Sequence, residues 1–313
     1  MTQHSKPLSI VYNEKSGFHA KHQEDVYEQL MTVFTDHGFE IQVFEFDQQT
    51  SIDDVMKQII ERHSSLENKG VVVAAGGDGT LNAVASHLLY SNIPMGILPL
   101  GTFNYVARVH QIPLDLLEAA LVIATGETKK THVAKLNDYI YLNNASLGLY
   151  PLFIEKREHY NRLLGRLKIH AYTSALDVLL RQHRSLKLEV VVDGSRYPVK
   201  TPMVFFGNNS LQLKEMNLQI AQCAREGKLA GVVVAKSDKL TLMKLLVQLL
   251  KGEIEHAKEV YQFSAHEVTI HAKNCQSFHA AIDGEIREVH IPLKLSVEKE
   301  ALTLMVPHVT ASV

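Results

Sequence analysis

VVVAAGGDGT occupies residues 71–80, and within it five apolar residues run directly into a glycine-rich turn. Residues 81–90, which follow the turn, have a helical pattern. This order is typical of a buried parallel strand that leads a phosphate-binding loop into the start of a helix. Glycine lets backbone N–H groups approach an anion because it has no Cβ, and a helix start adds partial positive charge. Asp78 brings a carboxylate to this loop, which indicates that a metal ion lies between it and the phosphates.

The composition indicates a globular chain without a strong charge bias. Of its 313 residues 46% are hydrophobic and 21% are charged, and its formal net charge is -2. A nucleic-acid binder that relies on bulk positive charge is therefore not expected. Two cysteines, Cys223 and Cys275, predict no disulfide framework. The polar N-terminus predicts no signal peptide, and no apolar run approaches the roughly 18 residues that span a bilayer. We expect a cytoplasmic protein.

The pattern of the chain changes near residue 128, which predicts two domains. Residues 1–128 alternate strand and helix signals, so we predict an α/β domain with a doubly wound parallel sheet. Residues 129–300 contain short strand-like runs with two helical interruptions, which predicts an antiparallel β-sandwich-like domain. Residues 301–313 form a tail, and the sequence leaves open whether its strand-like run returns to the first domain.

Three further turns follow strand-like segments. Pro99–Asn104 contains Gly101, Thr102 and Asn104, which offer close backbone approach, a hydroxyl and an amide. Residues 13–17 contain Asn13, Ser16 and Gly17. Ligands of open α/β sheets bind beyond the carboxyl ends of the strands, and the turns at residues 76–80 and 99–102 both fall at such ends. The turn at residues 13–17 follows the first strand and by itself is a generic turn. The third turn, Asp283-Gly284-Glu285, is by itself a common hairpin signal.

These four motifs occur in the order typical of the diacylglycerol kinase catalytic-domain family, which the chain resembles over roughly residues 8–306. That family includes bacterial lipid kinases and is similar to sphingosine kinases. The resemblance implies a nucleotide-binding α/β domain, a β-rich lipid-substrate domain and a cleft between them. It implies phosphorylation of the hydroxyl of a diacylglycerol-like or sphingoid-like lipid, with ATP and Mg²⁺ as cofactors.

The resemblance also implies roles for individual residues. Glu285, with Asp283 beside it, would be the catalytic base for the lipid hydroxyl, and Asp78 would lie next to the catalytic Mg²⁺. A structural Mg²⁺ would be held by the stretch containing Cys223, Glu226 and Lys228. The nucleotide would be bound by residues of the three glycine-containing turns: Asn13, Ser16, Gly17, Gly76, Gly77, Asp78, Gly79, Thr80, Leu81, Asn82, Gly101, Thr102 and Asn104.

Three departures from the family pattern have consequences for these roles. Glu226 stands where the structural magnesium site has Asp. Tyr105 stands where many members have an acidic residue, which removes a metal or hydrogen-bond contact, and Phe103 replaces a glycine near the nucleotide. These two aromatic residues favour a further alternative, a non-catalytic regulator that binds nucleotide or lipid.

A second enzyme class shares part of the pattern. NAD kinases also contain a Gly-Gly-Asp-Gly loop, but the turn at residues 99–104 fits the lipid kinases better. We expect a lipid substrate, transient contact with a membrane surface and no nucleic-acid partner, with a homodimer as an open arrangement. A run of basic residues is one candidate contact with anionic headgroups, although it also fits a solvated helix face: Lys156, Arg157, Arg162, Arg166 and Lys168.

Overall fold

The computed structural model describes residues 6–13, 24–47, 49–65, 69–153, 185–235, 238–273 and 275–308. The chain divides into two compact units. The first comprises Met1–His132 together with Lys299–Val313, and the second comprises Val133–Glu298. Among the described residues, no helix is both long and apolar enough to cross a membrane. Ser16, Gly17 and the basic run of residues 156–168 lie outside the described residues.

The first unit is built on a parallel sheet. Its strands are β1 (Lys6–Asn13), β2 (Phe39–Phe46), β3 (Val71–Gly76) and β4 (Met95–Pro99), in the order β2-β1-β3-β4. Every residue of β3 and β4 is buried. Burial on both faces explains why these strands are continuous apolar runs rather than alternating ones.

Helices cover this sheet in two layers. They are α1 (Glu24–Asp36), α2 (Ile52–Ser64), α3 (Asp78–Leu88), α4 (Tyr105–Val109) and α5 (Leu116–Thr125). The helices α1 and α5 pack on each other, and so do α2 and α3. The doubly wound α/β sheet predicted from the sequence is confirmed.

Two strands belong partly to each unit. They are β5 (Glu127–Leu136) and the last strand of the chain, Leu293–Val306. Near its end, the last strand runs parallel to β4, with Leu304 opposite Met95. The C-terminal residues therefore extend the parallel sheet of the first unit by one strand.

The second unit is mainly antiparallel. Its strands after β5 are β6 (Tyr139–Tyr141), β7 (Asn144–Gly148), β8 (Leu186–Val192), β9 (Ser195–Thr201), β10 (Met203–Gly207), β11 (Leu229–Val234), β12 (Val260–Ala265), β13 (Glu267–Ala272), β14 (Ser277–Ile282), β15 (Glu285–His290) and the first part of β16 (Leu293–Val306). One sheet has the order β12-β11-β10-β7-β14-β15, and the other has β16-β13-β8-β9. Apolar side chains from both sheets form one core, so the predicted β-sandwich-like architecture is confirmed.

Helices cover the outer face of the six-stranded sheet. They are α6 (Ser210–Glu215), α7 (Ala221–Arg225) and α8 (Lys239–Lys251), followed by a 3-10 turn at Ile254–His256. A second apolar core lies between these helices and the sheet. Because β10 and β11 contribute to both cores, their side chains are apolar on both faces.

Candidate functional site

The first glycine turn is tighter than the sequence indicates. Gly77 is the extended N-cap of α3, with φ -85 and ψ 179, and the helix begins at Asp78 rather than at residue 81. The first intrahelical bond is donated by the N–H of Leu81 to the carbonyl of Gly77, at 3.1 Å. The N–H groups of residues 78–80 therefore have no acceptor within the helix. A helix start of this kind is suited to a phosphate group.

Two predicted nucleotide contacts of the first turn, Thr80 and Leu81, pack within the protein. The side chain of Leu81 is buried in the apolar core, and its N–H is already bonded within α3. Thr80 lies against Gly76, where a Cβ would come 2.5 Å from the Cβ of Thr80. The turn thus needs glycine at residue 76 for packing reasons that are independent of any ligand.

The second glycine turn is fastened to the first. The N–H of Leu100 donates to the carbonyl of Gly76 at 3.0 Å. A Cβ on Gly101 would lie 2.7 Å from the Cα of Gly77, so glycine at this position permits the close approach. The side chain of Asn104 accepts from the N–H of Gly101 and donates to its carbonyl, both at 2.9 Å. Two of the sequence-predicted turns are therefore one structural feature.

Asp78 connects this feature to the next helix. Its Oδ2 accepts a hydrogen bond from the N–H of Tyr105 at 3.4 Å, and its Oδ1 accepts one from the N–H of Val106 at 3.2 Å. These are the first two residues of α4. The carboxylate that the sequence assigns to a metal ion thus contacts backbone N–H groups.

The two aromatic departures from the family pattern, Phe103 and Tyr105, contact each other. The rings of Phe103 and Tyr105 stack with centroids 5.8 Å apart and planes 7° apart. The guanidinium of Arg108 lies over the ring of Tyr105, 5.5 Å from its centroid. Arg108 places a positive charge near the second turn. Sequence reasoning missed it, although its spacing of three from Tyr105 on a short helix was available.

The remaining predicted contacts of the first unit are placed as follows. Asn13 ends β1, opposite Phe46 at the end of β2. Beside it, burial and a hydrogen bond to Glu45 raise the pKa of Tyr12 to about 12. Thr102 is exposed, and Asn82 lies in the second turn of α3.

The motif at residues 283–285 forms the hairpin between β14 and β15. Ile282 pairs with Glu285, and the two residues between them, Asp283 and Gly284, have φ values of 46 and 87. This left-handed pair is the usual conformation of an Asp-Gly hairpin turn.

Asp283 and Glu285 have different surroundings. The carboxylate of Asp283 accepts hydrogen bonds from the N–H groups of Leu142, Asn143 and Asn144, at 2.7, 2.8 and 3.0 Å. Glu285 is exposed, and its Oε2 lies 2.6 Å from the guanidinium of Arg287. Of the two predicted catalytic carboxylates, Glu285 is therefore the more exposed, and Asp283 is partly buried. Arg287 was missed, although residues two apart on a strand share a face.

Several buried polar side chains lie in or next to residues 142–144, the segment whose N–H groups donate to Asp283. Asn143, Asn144 and Asn209 are buried, and the amide of Asn209 donates to Oδ1 of Asn143 at 2.9 Å. Tyr141 is fully buried, and burial together with the charge of Asp283 raises its pKa. The carboxylate of Asp283 thus links the partly exposed hairpin turn to a buried polar cluster of the second unit.

An apolar cavity of about 120 Å³ lies on the helix-covered face of the six-stranded sheet. Three elements supply most of its wall: β10 with Met203 and Phe205, β11 with Val232 and Val234, and α8 with Leu242, Leu245, Leu246 and Leu249. A cavity with this lining suits a hydrocarbon chain.

The stretch assigned to a structural Mg²⁺ does not fit a metal ion. The ammonium of Lys228 lies 3.2 Å from Oε2 of Glu226, so a side-chain cation already faces that carboxylate. The carbonyl of Cys223 accepts the N–H groups of both Glu226 and Lys228. Across the part of the chain that the structure describes, no group of three or more His, Cys, Asp or Glu side chains could hold a metal.

Comparison with known proteins gives consistent matches along the chain. Residues 7–136 match the family model "Diacylglycerol kinase catalytic domain", and residues 155–306 match "YegS C-terminal NAD kinase beta sandwich-like domain". A protein of Staphylococcus aureus (strain bovine RF122 / ET3-1), named diacylglycerol kinase, is 29% identical over 70% of this chain and 69% of its own length. A crystal structure of a diacylglycerol kinase from Bacillus anthracis str. Sterne superimposes with a TM-score of 0.70 at 22% identity, covering 98% of this chain and 99% of the other.

Proposed function

Because this chain belongs to the diacylglycerol kinase catalytic-domain family, a family of lipid kinases, we propose that it transfers the γ-phosphoryl group of Mg-ATP to the hydroxyl of a diacylglycerol-like or sphingoid-like lipid. The observation that carries the proposal is the pair of glycine turns fastened together at the start of α3. A lipid acceptor resides in a bilayer, so the proposed function includes transient contact with a membrane surface.

The residues of the first unit fit the phosphates of a nucleotide. The N–H groups of residues 78–80 have no intrahelical acceptor, and Gly77 and Gly101 carry no side chain that would separate them from an anion. Arg108 adds positive charge nearby. In the proposed reaction these groups orient the phosphates and compensate their charge, which is the main contribution of a protein to phosphoryl transfer.

Magnesium would enter such a site together with the nucleotide. Mg²⁺ usually keeps several waters and binds to substrate phosphates with one or two carboxylates. The first turn also carries Asp78, whose two carboxylate oxygens accept the N–H groups of Tyr105 and Val106. The ion would neutralise charge on the phosphates, and the residues of this chain would hold the nucleotide that carries it.

Glu285 is the proposed base of the reaction. It would accept the proton of the lipid hydroxyl as the new bond to phosphorus forms. Its exposure supports this role, and Arg287 at 2.6 Å would hold the carboxylate in one orientation. Asp283, whose carboxylate accepts three backbone N–H groups, would position the hairpin rather than take the proton.

The apolar cavity is the proposed site for the hydrocarbon part of the acceptor. Its wall consists of aliphatic, aromatic and methionine side chains from β10, β11 and α8. Each Å² of apolar surface that is buried contributes about 25 cal/mol, which would favour entry of a hydrocarbon chain from water.

The experiment that tests the proposal compares two substitutions on the same strand. We expect Glu285→Gln to lower kcat by at least about 100-fold, in line with loss of a general base, and to leave ATP affinity within about two-fold. Glu288→Gln is the matched control, because Glu288 is an exposed glutamate of β15 whose carboxylate accepts from Ser277. Steady-state rates with dioleoylglycerol and sphingosine would measure both. A fully active Glu285→Gln enzyme would contradict the assigned base.

A second candidate function is phosphorylation of NAD, which the name of the second matched domain favours. The two candidates differ in the acceptor, so NAD in place of lipid in the same assay separates them. A third candidate, a regulator that binds nucleotide or lipid without catalysis, predicts ATP binding with no phosphorylated product from either acceptor.

A further inference from the structure

The carboxylate of Asp78 performs a task that normally belongs to the residue before a helix. An N-cap side chain usually accepts one of the first N–H groups of its own helix. In α4 the N-cap is Asn104, which has a left-handed backbone with φ 48 and makes no side-chain cap bond. Its amide is bonded to Gly101 in both directions instead. The first N–H groups of α4 therefore require an acceptor from elsewhere.

Asp78 supplies that acceptor from a distant part of the sequence. It stands 27 residues before Tyr105 and 28 before Val106, and each of its oxygens accepts one of their N–H groups. Asp115 shows the ordinary form of the same contact, because its Oδ1 accepts the N–H groups of Leu117 and Glu118 in its own helix, α5. The cap of α4 differs because Asp78 belongs to the first glycine turn, so the same bonds cap a helix and join the two glycine turns.

The joined turns depend on this cap. Their other links are the bond from Leu100 to Gly76 and the close approach of Gly101 to Gly77. Both hold the beginning of the second turn, whereas Asp78 holds its end, where α4 starts. Without the carboxylate, the N–H groups of Tyr105 and Val106 would lose this acceptor, and the contact between Asp78 and the end of the second turn would be lost.

The charge and position of Asp78 also fit a metal ligand, but its surroundings favour the cap. Mg²⁺ demands near-ideal octahedral geometry, and a carboxylate that serves it must present an oxygen in a fixed direction. Both oxygens of Asp78 are directed to N–H groups, and residue 105, at the start of α4, is Tyr rather than a second carboxylate.

We propose that Asp78 is a positioning residue, which caps α4 from a distance and fixes the two glycine turns in the arrangement that receives the nucleotide, and that it is not the protein ligand of Mg²⁺. The proposal rests on the proposed function, since it assumes that the turns bind a nucleotide. It predicts that the contribution of Asp78 to nucleotide binding is the same with and without the metal.

The test uses the full chain with Asp78→Ala and Asp78→Asn, and with Asp115→Ala as the matched control. Binding of ATP would be measured by calorimetry in Mg²⁺ and again in EDTA, and amide hydrogen exchange would be followed at Tyr105 and Val106. We expect Asp78→Ala to weaken ATP binding by about ten-fold in both conditions and to speed exchange at these two amides. Asp78→Asn keeps one acceptor oxygen and should give a smaller effect of the same kind. Asp115→Ala should leave ATP affinity unchanged.

Two results would overturn the proposal. One is a loss of ATP affinity that is present in Mg²⁺ and absent in EDTA, which is the behaviour of a metal ligand. The other is unchanged exchange at Tyr105 and Val106 in both Asp78 variants. A wild-type chain that binds ATP but phosphorylates no lipid would refute the proposed function alone, and the exchange measurement tests the cap even if no nucleotide binds.

Discussion

At the scale of single residues, aspartates that accept backbone N–H groups determine the conformation of several turns. Asp115 caps its own helix, and such local contacts are visible in a sequence because donor and acceptor are two or three residues apart. Asp283 accepts from Leu142, Asn143 and Asn144, about 140 residues earlier. The sequence identified the motif at residues 283–285, but local patterns contain no information about the segment that it would hold.

We predict that Asp283→Ala lowers the free energy of unfolding by about 3 kcal/mol, because three N–H groups lose a charged acceptor. Chemical denaturation would measure this loss. Asp193→Ala is the matched control, since Asp193 occupies an equivalent Asp-Gly hairpin turn and accepts the N–H groups of His266 and Glu267.

The two aspartate variants should differ in activity. Both are expected to lose stability, but only Asp283→Ala should lower kcat, because Asp283 lies two residues from the proposed base Glu285. Equal kcat values for Asp283→Ala and wild type, measured below the unfolding transition, would show that Asp283 does not position the hairpin for catalysis.

At the scale of helices and strands, the sequence predicted the type of each site-bearing element better than its ends. The glycine turn after β3 was predicted to extend to residue 80, but α3 begins at Asp78. Gly77 is extended and serves as the N-cap, and an aspartate in the first turn of a helix is favoured by the helix dipole. Gly77 and Asp78 directly after β3 are sufficient to start α3, so the loop is shorter than its glycine content indicates.

The end of α4 gives a prediction about pH. Burial, together with the nearby charge of Lys129, lowers the pKa of His110 from its usual 6.5 to about 4. Below pH 6.5 the unfolded chain therefore binds a proton that the folded chain does not, and the stability from a neutral His110 is lost as the pH falls toward 4.

We expect the free energy of unfolding to fall by up to about 3 kcal/mol over this pH window on account of His110. Denaturant titrations at a series of pH values would measure it, and His110→Gln should give a flatter profile. Burial also lowers the pKa of His63, so this residue contributes in the same direction as His110. It accounts for the slope of stability against pH that remains in His110→Gln. An identical profile for His110→Gln and wild type would contradict the assignment.

The helix α8 lines the cavity and offers a matched pair of substitutions. Leu246 lines the cavity, whereas its neighbour Val247 is 45% exposed. We predict that Leu246→Trp fills the cavity and raises the KM for the lipid acceptor by about ten-fold, an order of magnitude that corresponds to 1.4 kcal/mol, while ATP affinity stays unchanged.

Val247→Trp is the control, because it adds the same ring on the solvent side of α8. Initial rates at varied acceptor concentration would measure both variants. A KM for Leu246→Trp equal to that of Val247→Trp would show that the cavity does not receive the acceptor.

At the scale of the whole molecule, the sequence predicted the architecture because both halves obey simple periodicities. Buried parallel strands read as continuous apolar runs in the first unit, and shorter runs between turns indicated antiparallel sheets in the second. The cavity could not be predicted in the same way. Its wall is assembled from β10, β11 and α8, and the apolar residues of these elements serve the second core as well, so no local pattern distinguishes a cavity from a filled interior.

The most direct test of the central claim is transfer of label from γ-labelled Mg-ATP to dioleoylglycerol or sphingosine in mixed vesicles, with NAD as acceptor in a parallel reaction. Glu285→Gln serves as the negative control. We expect a labelled lipid that depends on Glu285 and no labelled NADP. Label in NADP, or ATP binding without label in any acceptor, would contradict the assignment of this chain as a lipid kinase.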